Sequence, residues 1–385
     1  MNADLRQFAA RELPAPPVRP APPPEGCAHV MQFGPSLAVR GGVSSVERLI
    51  CDHLPQYVTL RHVVTMEDGS IVNGAITFAR AVRTLRRALA SLEPVIVHMH
   101  FASRGSTLRK MILAEMVLRA GRPLVLHAHG AQFDQFYRHL PSLLRSRLNR
   151  TLQRANVVIA LSTQWRDFFI EECELSSSSV TVLPNPVRWN PEMPNRAGRT
   201  HVQFLSMGRL SSRKGSYDLV KAFAALPPAL RARARLVLAG DGDVEGVRQL
   251  AAPLGDAVRV LSWVDPAERN RLLETSDVFA LPSRAEGLPM ALLEAMSAGL
   301  PAIVTPVGGI PDAVTQGAEG LYVEPGRVEE LTAAMARMLV DEPERLAMGR
   351  RAHLRARQFD VHVYARRLAD LYQRIAPVAD IRGYA

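Results

Sequence analysis

The sequence contains no run of eighteen apolar residues, so it predicts no membrane-spanning helix. It has only three cysteines, and their scattered positions favour neither a disulfide framework nor a zinc site: Cys27, Cys51 and Cys173. No basic segment followed by an apolar one opens the chain, so we expect no secretory signal. Together these absences indicate a protein of the reducing cytoplasm.

Lysine is also scarce, because only positions 110, 214 and 221 carry it and arginine supplies the other basic residues. Residues 1–190 contain 22 Lys and Arg against 14 Asp and Glu, whereas residues 191–385 contain 25 against 23. A basic first half indicates an anionic partner, either a phospholipid surface or nucleic acid; a GC-rich genome would give the same arginine-rich composition. No helix-turn-helix, zinc-finger or base-stacking pattern accompanies the charge, so we expect no nucleic-acid partner.

A chain of 385 residues is too long for one compact core and predicts two domains. From Ala28 onward, short apolar runs alternate with helical patterns, which predicts an α/β protein with parallel, doubly wound sheets. The predicted strands are 29–33, 59–64, 95–100, 123–127, 157–161, 180–183, 201–207, 235–239, 258–261, 278–281, 302–304 and 320–323. The predicted helices include 76–91, 107–119, 137–154, 217–225 and 363–375.

Proline and glycine divide the chain further. Residues 14–25 are proline-rich, so we expect residues 1–27 to form a disordered lead. A second cluster between residues 184 and 198 predicts a linker, which separates an N-terminal domain at 28–186 from a second domain at 187–360. The remaining segment, 361–385, contains a helix that could pack on either half. Ligands of such folds bind outside the carboxyl ends of the strands.

Two motifs in the second half are the main candidates for chemistry. The turn from Gly208 to Gly215 places Arg209 and Lys214 between a predicted strand and a predicted helix, where backbone N–H groups and both cations can bind a phosphate. Glu286-Gly287-Leu288-Pro289 precedes another helix, and Glu294 lies inside that helix. Two carboxylates about 12 Å apart along a helix suit the hydroxyls at the two ends of one extended ligand.

The chain resembles the retaining glycosyltransferases of family 4, which have the GT-B fold. The resemblance covers about residues 28–360 and rests on motifs that stand in the family order. They are the G-R-L-x-x-x-K-G turn, the E-x7-E pair, Gly41-Gly42-Val43, His129-Gly130, Pro184-Asn185-Pro186, Gly240-Asp241-Gly242 and Thr305-Pro306-Val307-Gly308-Gly309. Residues 98–106 and 129–134 are most similar to bacterial exopolysaccharide α-mannosyltransferases that act on lipid-linked oligosaccharides.

The resemblance implies two Rossmann-like domains facing each other across a cleft, and it implies roles for individual residues. Arg209 and Lys214 would stabilise the departing diphosphate, Glu286 would bind the transferred sugar, and Glu294 the nucleotide ribose. The resemblance also implies that four further residues lie around the donor: Gly41, Gly42, Gly287 and Leu288. His129 would lie beside the reacting carbon and the acceptor, although a purely structural histidine is the alternative.

On the acceptor side, we expect His98 and His100 to point to opposite faces of their strand, so that only His100 faces the cleft. Asp134 is either an acceptor-side residue or the N-cap of a helix. Asp241-Gly242-Asp243 has the spacing of a D-x-D metal motif, but two acids in one turn do not complete a magnesium site. We therefore expect no metal and no cofactor other than the nucleotide sugar substrate.

The stretch between Asp134 and Asp167 contains no acid and six arginines. Leu140, Leu144, Leu148 and Leu152 form one helical stripe with arginines beside it. This pattern is typical of a helix at an anionic membrane surface, and equally of a helix that covers a sheet with leucine and faces water with arginine. The first reading predicts a cytoplasmic enzyme bound peripherally to the inner face of the cell membrane.

The resulting hypothesis is a retaining transferase that moves mannose from GDP-mannose to a polyprenyl-diphosphate-linked oligosaccharide in exopolysaccharide biosynthesis. A UDP-sugar donor is one alternative, and a sugar-nucleotide epimerase of GT-B-like fold is another.

Overall fold

The computed structural model describes residues 28–91 and 93–376. The predicted disordered lead at 1–27 lies outside these residues. Within them, the chain forms two parallel six-stranded sheets. The first contains β1 (Ala28–Pro35), β2 (Val58–Met66), β3 (Ile96–Phe101), β4 (Leu124–Ala128), β5 (Val157–Ala160) and β6 (Val180–Val182). The second contains β7 (Val202–Met207), β8 (Ala234–Ala239), β9 (Val258–Leu261), β10 (Val278–Leu281), β11 (Ala302–Val304) and β12 (Gly320–Tyr322).

Helices connect the strands and cover both faces of each sheet. In the first half they are α1 (Gly42–His53), α2 (Ile71–Ala90), α3 (Gly105–Arg119), α4 (Phe133–Arg138), α5 (Ser142–Arg154) and α6 (Thr163–Glu171). In the second half they are α7 (Ser216–Ala224), α8 (Pro228–Arg231), α9 (Val244–Ala251), α10 (Pro266–Thr275), α11 (Met290–Ser297), α12 (Ile310–Ala313), α13 (Val328–Val340), α14 (Glu342–Ala356) and α15 (Val361–Ile375).

The strand orders are β2-β1-β3-β4-β5-β6 and β12-β11-β10-β7-β8-β9. The order therefore reverses between β1 and β3 in the first sheet and between β7 and β10 in the second. The α/β, doubly wound prediction is confirmed. The physical basis of this prediction is visible in β3 and β4. Every residue of these two strands is buried, because helices cover a parallel sheet on both faces.

One predicted helix, 137–154, is wrong. The chain forms α4 and α5 instead, with a break around Pro141, because proline has no N–H to donate and disfavours helical geometry at the preceding residue. The leucine stripe divides accordingly. Leu148 and Leu152 are buried, Leu144 is 38% exposed, and Leu140 lies outside α5.

The C-terminal helix returns to the first sheet. Leu368 and Tyr372 of α15 pack with Val30 and Ile96, while α1 covers the same face. The interdomain linker is joined to the start of this helix, since Val187 N–H donates to the Phe359 carbonyl (2.8 Å) and the Val187 carbonyl accepts from Val361 N–H (2.9 Å). Among the described residues, no helix combines the length and the apolar character needed to cross a bilayer.

Candidate active site

The two points of strand-order reversal carry the loops that the motifs had singled out. Gly41 and Gly42 follow β1 and open α1. In the second sheet, the turn from Gly208 to Gly215 follows β7, and the segment that holds Glu286 follows β10. Carboxyl ends beside such a reversal form a crevice in open α/β sheets, so sheet order brings together residues far apart in sequence.

Lys214 and Glu286 form the central pair of this crevice. The Lys214 ammonium lies 2.6 Å from Glu286 Oε1, and the same oxygen accepts a hydrogen bond from Ser283 Oγ at 2.6 Å. The Glu286 side chain is 4% exposed and that of Lys214 is 17% exposed. Glu286 Oε2 receives no hydrogen bond from the described residues, which leaves it free to accept from a ligand hydroxyl.

The turn that presents Lys214 depends on Gly215. This residue has φ of 73°, and a Cβ placed on it would lie 2.2 Å from the Pro282 carbonyl oxygen. Arg213 connects the turn to the loop after β10. Its guanidinium donates to the Ala285 carbonyl at 2.8 Å, and its own carbonyl accepts from Arg284 N–H at 2.8 Å. The loops after β7 and β10 thus form one unit.

Arg209 lies at the outer side of the same turn. Its guanidinium pairs with Asp241 at 2.9 Å, and its side chain is 63% exposed. Asp243 accepts from Gly246 N–H as the N-cap of α9 and also accepts from the Tyr217 hydroxyl. Both acids of the D-x-D spacing therefore have protein partners. An exposed ion pair is weak, so an incoming phosphate can compete with Asp241 for Arg209.

Glu294 lies inside α11, as expected, but it has a partner that the sequence did not indicate. Arg269 of α10 lies 3.1 Å from Glu294 Oε1. Burial raises the pKa of Glu294, and the Arg269 guanidinium offsets part of that rise. The pair holds a second carboxylate on the helix that begins directly after Glu286-Gly287-Leu288-Pro289.

Two glycines lie where the domains meet. A Cβ placed on Gly287 would lie 3.4 Å from the His129 carbonyl oxygen, and one placed on Gly42 would lie 3.7 Å from Met290 Cγ. Apart from its chain neighbours, no described residue has an atom within 4 Å of a Cβ placed on Gly41, so the backbone at the start of α1 faces open space. The backbone next to Glu286 therefore lies beside the backbone of His129.

Leu288 is oriented away from that space. Its side chain is buried in the core of the second domain, and its carbonyl accepts a hydrogen bond from Asn185 Nδ2 at 2.7 Å. A second contact between the domains joins Thr163 to Asp312, whose Oδ2 accepts from the Thr163 N–H at 2.7 Å and from its hydroxyl at 2.9 Å. Asn185 belongs to the Pro184-Asn185-Pro186 motif, but the sequence assigns this residue no role. No sequence pattern indicates Thr163 or Asp312.

The expectation that His98 and His100 face opposite sides of their strand is wrong. Residues two apart on a strand share a face, and the two rings stack with centroids 4.4 Å apart. His100 is buried and reaches the site through His129, since its Nδ1 lies 2.8 Å from His129 Nε2. Burial lowers the pKa of His129 to about 3, so its imidazole is neutral near pH 7.

Asp134 occupies the first turn of α4 and is therefore not its N-cap, a position held by Gln132. Its carboxylate lies 3.6 Å from Arg138. Because α4 begins four residues after His129, Asp134 lies near the carboxyl end of β4.

Comparison with known proteins agrees with this geometry. A model described as Glycosyltransferase Family 4 matches residues 48–190, and one described as Glycosyl transferases group 1 matches residues 192–355. The GDP-mannose-dependent alpha-(1-6)-phosphatidylinositol monomannoside mannosyltransferase of Mycobacterium tuberculosis is 31% identical over 271 residues, 64% of this chain and 68% of that protein.

Two further relatives have lower sequence identity. The amylovoran biosynthesis glycosyltransferase AmsK of Erwinia amylovora is 26% identical over 290 residues, 72% of this chain and 69% of that protein. The Escherichia coli UDP-Gal:alpha-D-GlcNAc-diphosphoundecaprenol alpha-1,3-galactosyltransferase is 28% identical over 266 residues, 64% of this chain and 67% of that protein. Among solved structures, Anabaena Alr3699/HepE in complex with UDP-glucose superposes with a TM-score of 0.70 and 20% identity, covering 90% of this chain and 99% of that one.

The two facing Rossmann-like sheets have the GT-B fold, and the two family models that match them make the chain a glycosyltransferase. The chain belongs to glycosyltransferase family 4.

Proposed function

We propose that the protein is a retaining mannosyltransferase that uses GDP-mannose and extends a polyprenyl-diphosphate-linked oligosaccharide in exopolysaccharide synthesis. The observation that carries the proposal is the Lys214–Glu286 pair, 2.6 Å apart, in which Glu286 belongs to a loop whose Gly287 lies beside the His129 carbonyl. It combines a cation for the diphosphate with a carboxylate for sugar hydroxyls. The mannosyltransferase and amylovoran relatives support the choice of sugar and of product.

The reaction breaks the bond between the anomeric carbon and the diphosphate oxygen and forms one between that carbon and an acceptor hydroxyl oxygen. Negative charge that develops on the diphosphate is stabilised by Arg209, Lys214 and the N–H groups at the start of α7. The acceptor proton passes to the departing phosphate oxygen. Glu286 Oε1 is engaged by Lys214 and Ser283, so Oε2 is the atom that orients the sugar.

His129 has a positioning role in this scheme. Because its pKa is lowered to about 3, it stays neutral and does not repel a cationic reacting carbon. Its Nε2 is held by His100 Nδ1, and its Nδ1 has no partner among the described residues. We assign that Nδ1 to a hydroxyl of the sugar or the acceptor.

A UDP-sugar donor is the second candidate. The Escherichia coli relative uses UDP-Gal by its name, and the Anabaena structure contains UDP-glucose. None of the contacts described above distinguishes guanine from uracil. The transfer assay below identifies the donor.

We extend the proposal to an anionic membrane surface. Leu143 is 72% exposed on α5, and Arg147 and Arg150 are exposed on the same helix. A lipid-linked acceptor requires the enzyme to work beside the bilayer, and exposed leucine with arginine suits the headgroup region of anionic lipids.

The test is a transfer assay with radiolabelled GDP-mannose, UDP-glucose and UDP-galactose and a polyprenyl-diphosphate oligosaccharide in detergent, each run with and without EDTA. We expect mannose transfer with an α-linkage by NMR and no loss of rate with EDTA. Transfer from a UDP-sugar alone would replace the donor. A rearranged sugar released without acceptor would establish an epimerase instead.

A further inference from the structure

Histidines form a buried column in the first domain, beneath the candidate active site. His98 and His100 lie on β3, His127 lies on β4 beside His100, and His129 follows at the end of β4. The first three are at most 1% exposed. Neighbouring rings are close, with centroids 4.8 Å apart for His100 and His127 and 4.1 Å apart for His127 and His129. Helices α1 and α15 close this face of the sheet.

Several ring nitrogens in the column have no hydrogen-bonding partner among residues 28–91 and 93–376. They are His98 Nε2, His100 Nε2 and both nitrogens of His127. Buried polar atoms are almost always satisfied by protein or water, because leaving one unpaired costs about 1–3 kcal/mol. One ion bound by a single nitrogen of each ring would satisfy three of these four atoms.

The other nitrogens of His98 and His100 are already oriented. His98 Nδ1 lies 2.6 Å from the Tyr372 hydroxyl, and His100 Nδ1 lies 2.8 Å from His129 Nε2. Histidines that bind a metal usually engage the opposite ring nitrogen in such a hydrogen bond, which sets the tautomer and directs the free nitrogen at the ion. His98 and His100 share this arrangement, with Nε2 free in each.

We propose that His98, His100 and His127 bind one divalent transition-metal ion, of which zinc is the representative. One ring nitrogen of each lies within 4.8 Å of the others. A tetrahedral zinc with Zn–N distances of about 2.0–2.1 Å holds its ligand nitrogens about 3.4 Å apart, so the rings need to close by no more than about 1.4 Å. Three imidazoles select zinc and its neighbours over magnesium or calcium.

Two other buried side chains supply a candidate fourth ligand and a nearby negative charge. Gln32 pairs with His98 in the sheet register, is fully buried, and has an amide oxygen without a partner, which makes it the candidate fourth ligand. Glu47 of α1 is also fully buried, and its Oε1 lies 3.8 Å from His100 Nδ1. Its carboxylate supplies negative charge near the ion, against the nearby ammonium of Lys110.

This ion is separate from donor chemistry. It lies in the first domain, whereas Arg209 and Lys214 belong to the second, so it would not touch the diphosphate. Through His100 it would hold His129 at the rim of the crevice. The inference departs from the expectation that the chain binds no metal, and its sequence signal is a repeated H-x-H, at 98–100 and at 127–129 on adjacent strands.

The test uses full-length protein without an affinity tag, produced in medium supplemented with zinc so that the ion is present during folding. Metal content is measured by plasma mass spectrometry after exhaustive dialysis, and cobalt-grown protein is examined for the strong visible absorption of tetrahedral Co²⁺. We expect one ion per chain and that absorption. Folded wild-type protein without stoichiometric metal would overturn the proposal.

Substitutions locate the ion. His127→Leu replaces a ligand whose nitrogens make no hydrogen bond within the described part of the chain, and His98→Gln is a second, polar replacement. Circular dichroism selects the variants that fold. We expect at least a tenfold loss of bound metal in either, and unchanged content in His139→Gln, which removes an exposed histidine. Equal metal content in wild type and both ligand variants would also overturn the proposal.

Discussion

Lys214 and Glu286 are 72 residues apart in sequence, yet the lysine Nζ lies 2.6 Å from the glutamate Oε1. The contact exists because β7 and β10 are neighbours in the second sheet, so the loops that follow them leave from the same edge. Each side chain holds the other in place before any substrate arrives. A donor with a diphosphate next to a hexose would contact both.

We expect Lys214→Ala and Glu286→Ala each to reduce kcat/KM for transfer by about 100-fold or more, because one loses charge stabilisation of the leaving group and the other loses the sugar contact. The measurement is steady-state transfer at a temperature where circular dichroism shows both variants folded. Removing one partner of a buried pair destabilises a protein, so the double variant Lys214→Ala/Glu286→Ala is included.

The matched control is the exposed pair on α9, in which Arg248 and Glu245 are 2.8 Å apart. Arg248→Ala and Glu245→Ala also remove a positive and a negative charge, but at far less buried positions. Transfer by these variants should stay within about twofold of wild type. Near-normal transfer by Lys214→Ala or Glu286→Ala would refute the assigned roles.

Gly215→Ala should destabilise the protein and impair transfer together. Its φ of 73° costs an L-residue about 1–2 kcal/mol, and the added methyl also collides with the Pro282 carbonyl. Gly317→Ala is the comparison, since its φ is 75° and a Cβ placed there meets no atom of the described, non-neighbouring residues within 4 Å. Thermal unfolding and kcat/KM are measured for both. Equal losses in the two variants would show that the Pro282 contact is unimportant.

Stability should rise with pH through the titration of Lys110. Burial lowers the pKa of Lys110 to about 7, while the unfolded chain keeps a pKa near 10.5. Above about pH 7 the unfolded chain therefore binds one more proton than the folded one, and the free energy of unfolding increases by up to about 1.4 kcal/mol per pH unit. Urea unfolding at about pH 7 and about pH 8.5 measures this rise.

Lys110→Met is the control for that rise, since methionine is of similar length and does not titrate. The variant should show a smaller increase in unfolding free energy over the same interval and greater stability than wild type at the lower pH, because burial of a charged ammonium is avoided. Parallel curves for wild type and variant would exclude Lys110 as the source.

Membrane binding should depend on α5. Replacing Arg147 and Arg150 by alanine should weaken binding to phosphatidylglycerol vesicles by about tenfold or more, since each basic residue near such a surface contributes about 1 kcal/mol. Arg366→Ala/Arg367→Ala on α15 makes the same charge change at exposed positions elsewhere. Sedimentation with vesicles measures both. Equal weakening by the two double variants would indicate a diffuse charge effect without a docking helix.

Much of the fold was predictable because local patterns carry it. All twelve predicted strands are present, with ends within about two residues, since apolar runs bounded by turn residues are a strong signal. The break at Pro141 was missed although proline marks it. The structure brings Lys214 and Glu286 together as the motifs suggested, and the roles of the site residues stay predictions. The contacts were not predictable: nothing near Glu294 indicates Arg269, and nothing near Leu288 indicates Asn185.

By itself, the sequence determined the alternation of strands and helices, the glycine-bounded turn around Lys214, and the basic character of the first half, since each follows from neighbouring residues. The tertiary structure alone decided which distant side chains meet. It paired Lys214 with Glu286, packed α15 against the first sheet, and stacked the histidines of β3 and β4 into one buried column. Such contacts depend on strand order and register, which join residues tens to hundreds of positions apart and leave no periodic trace along the chain.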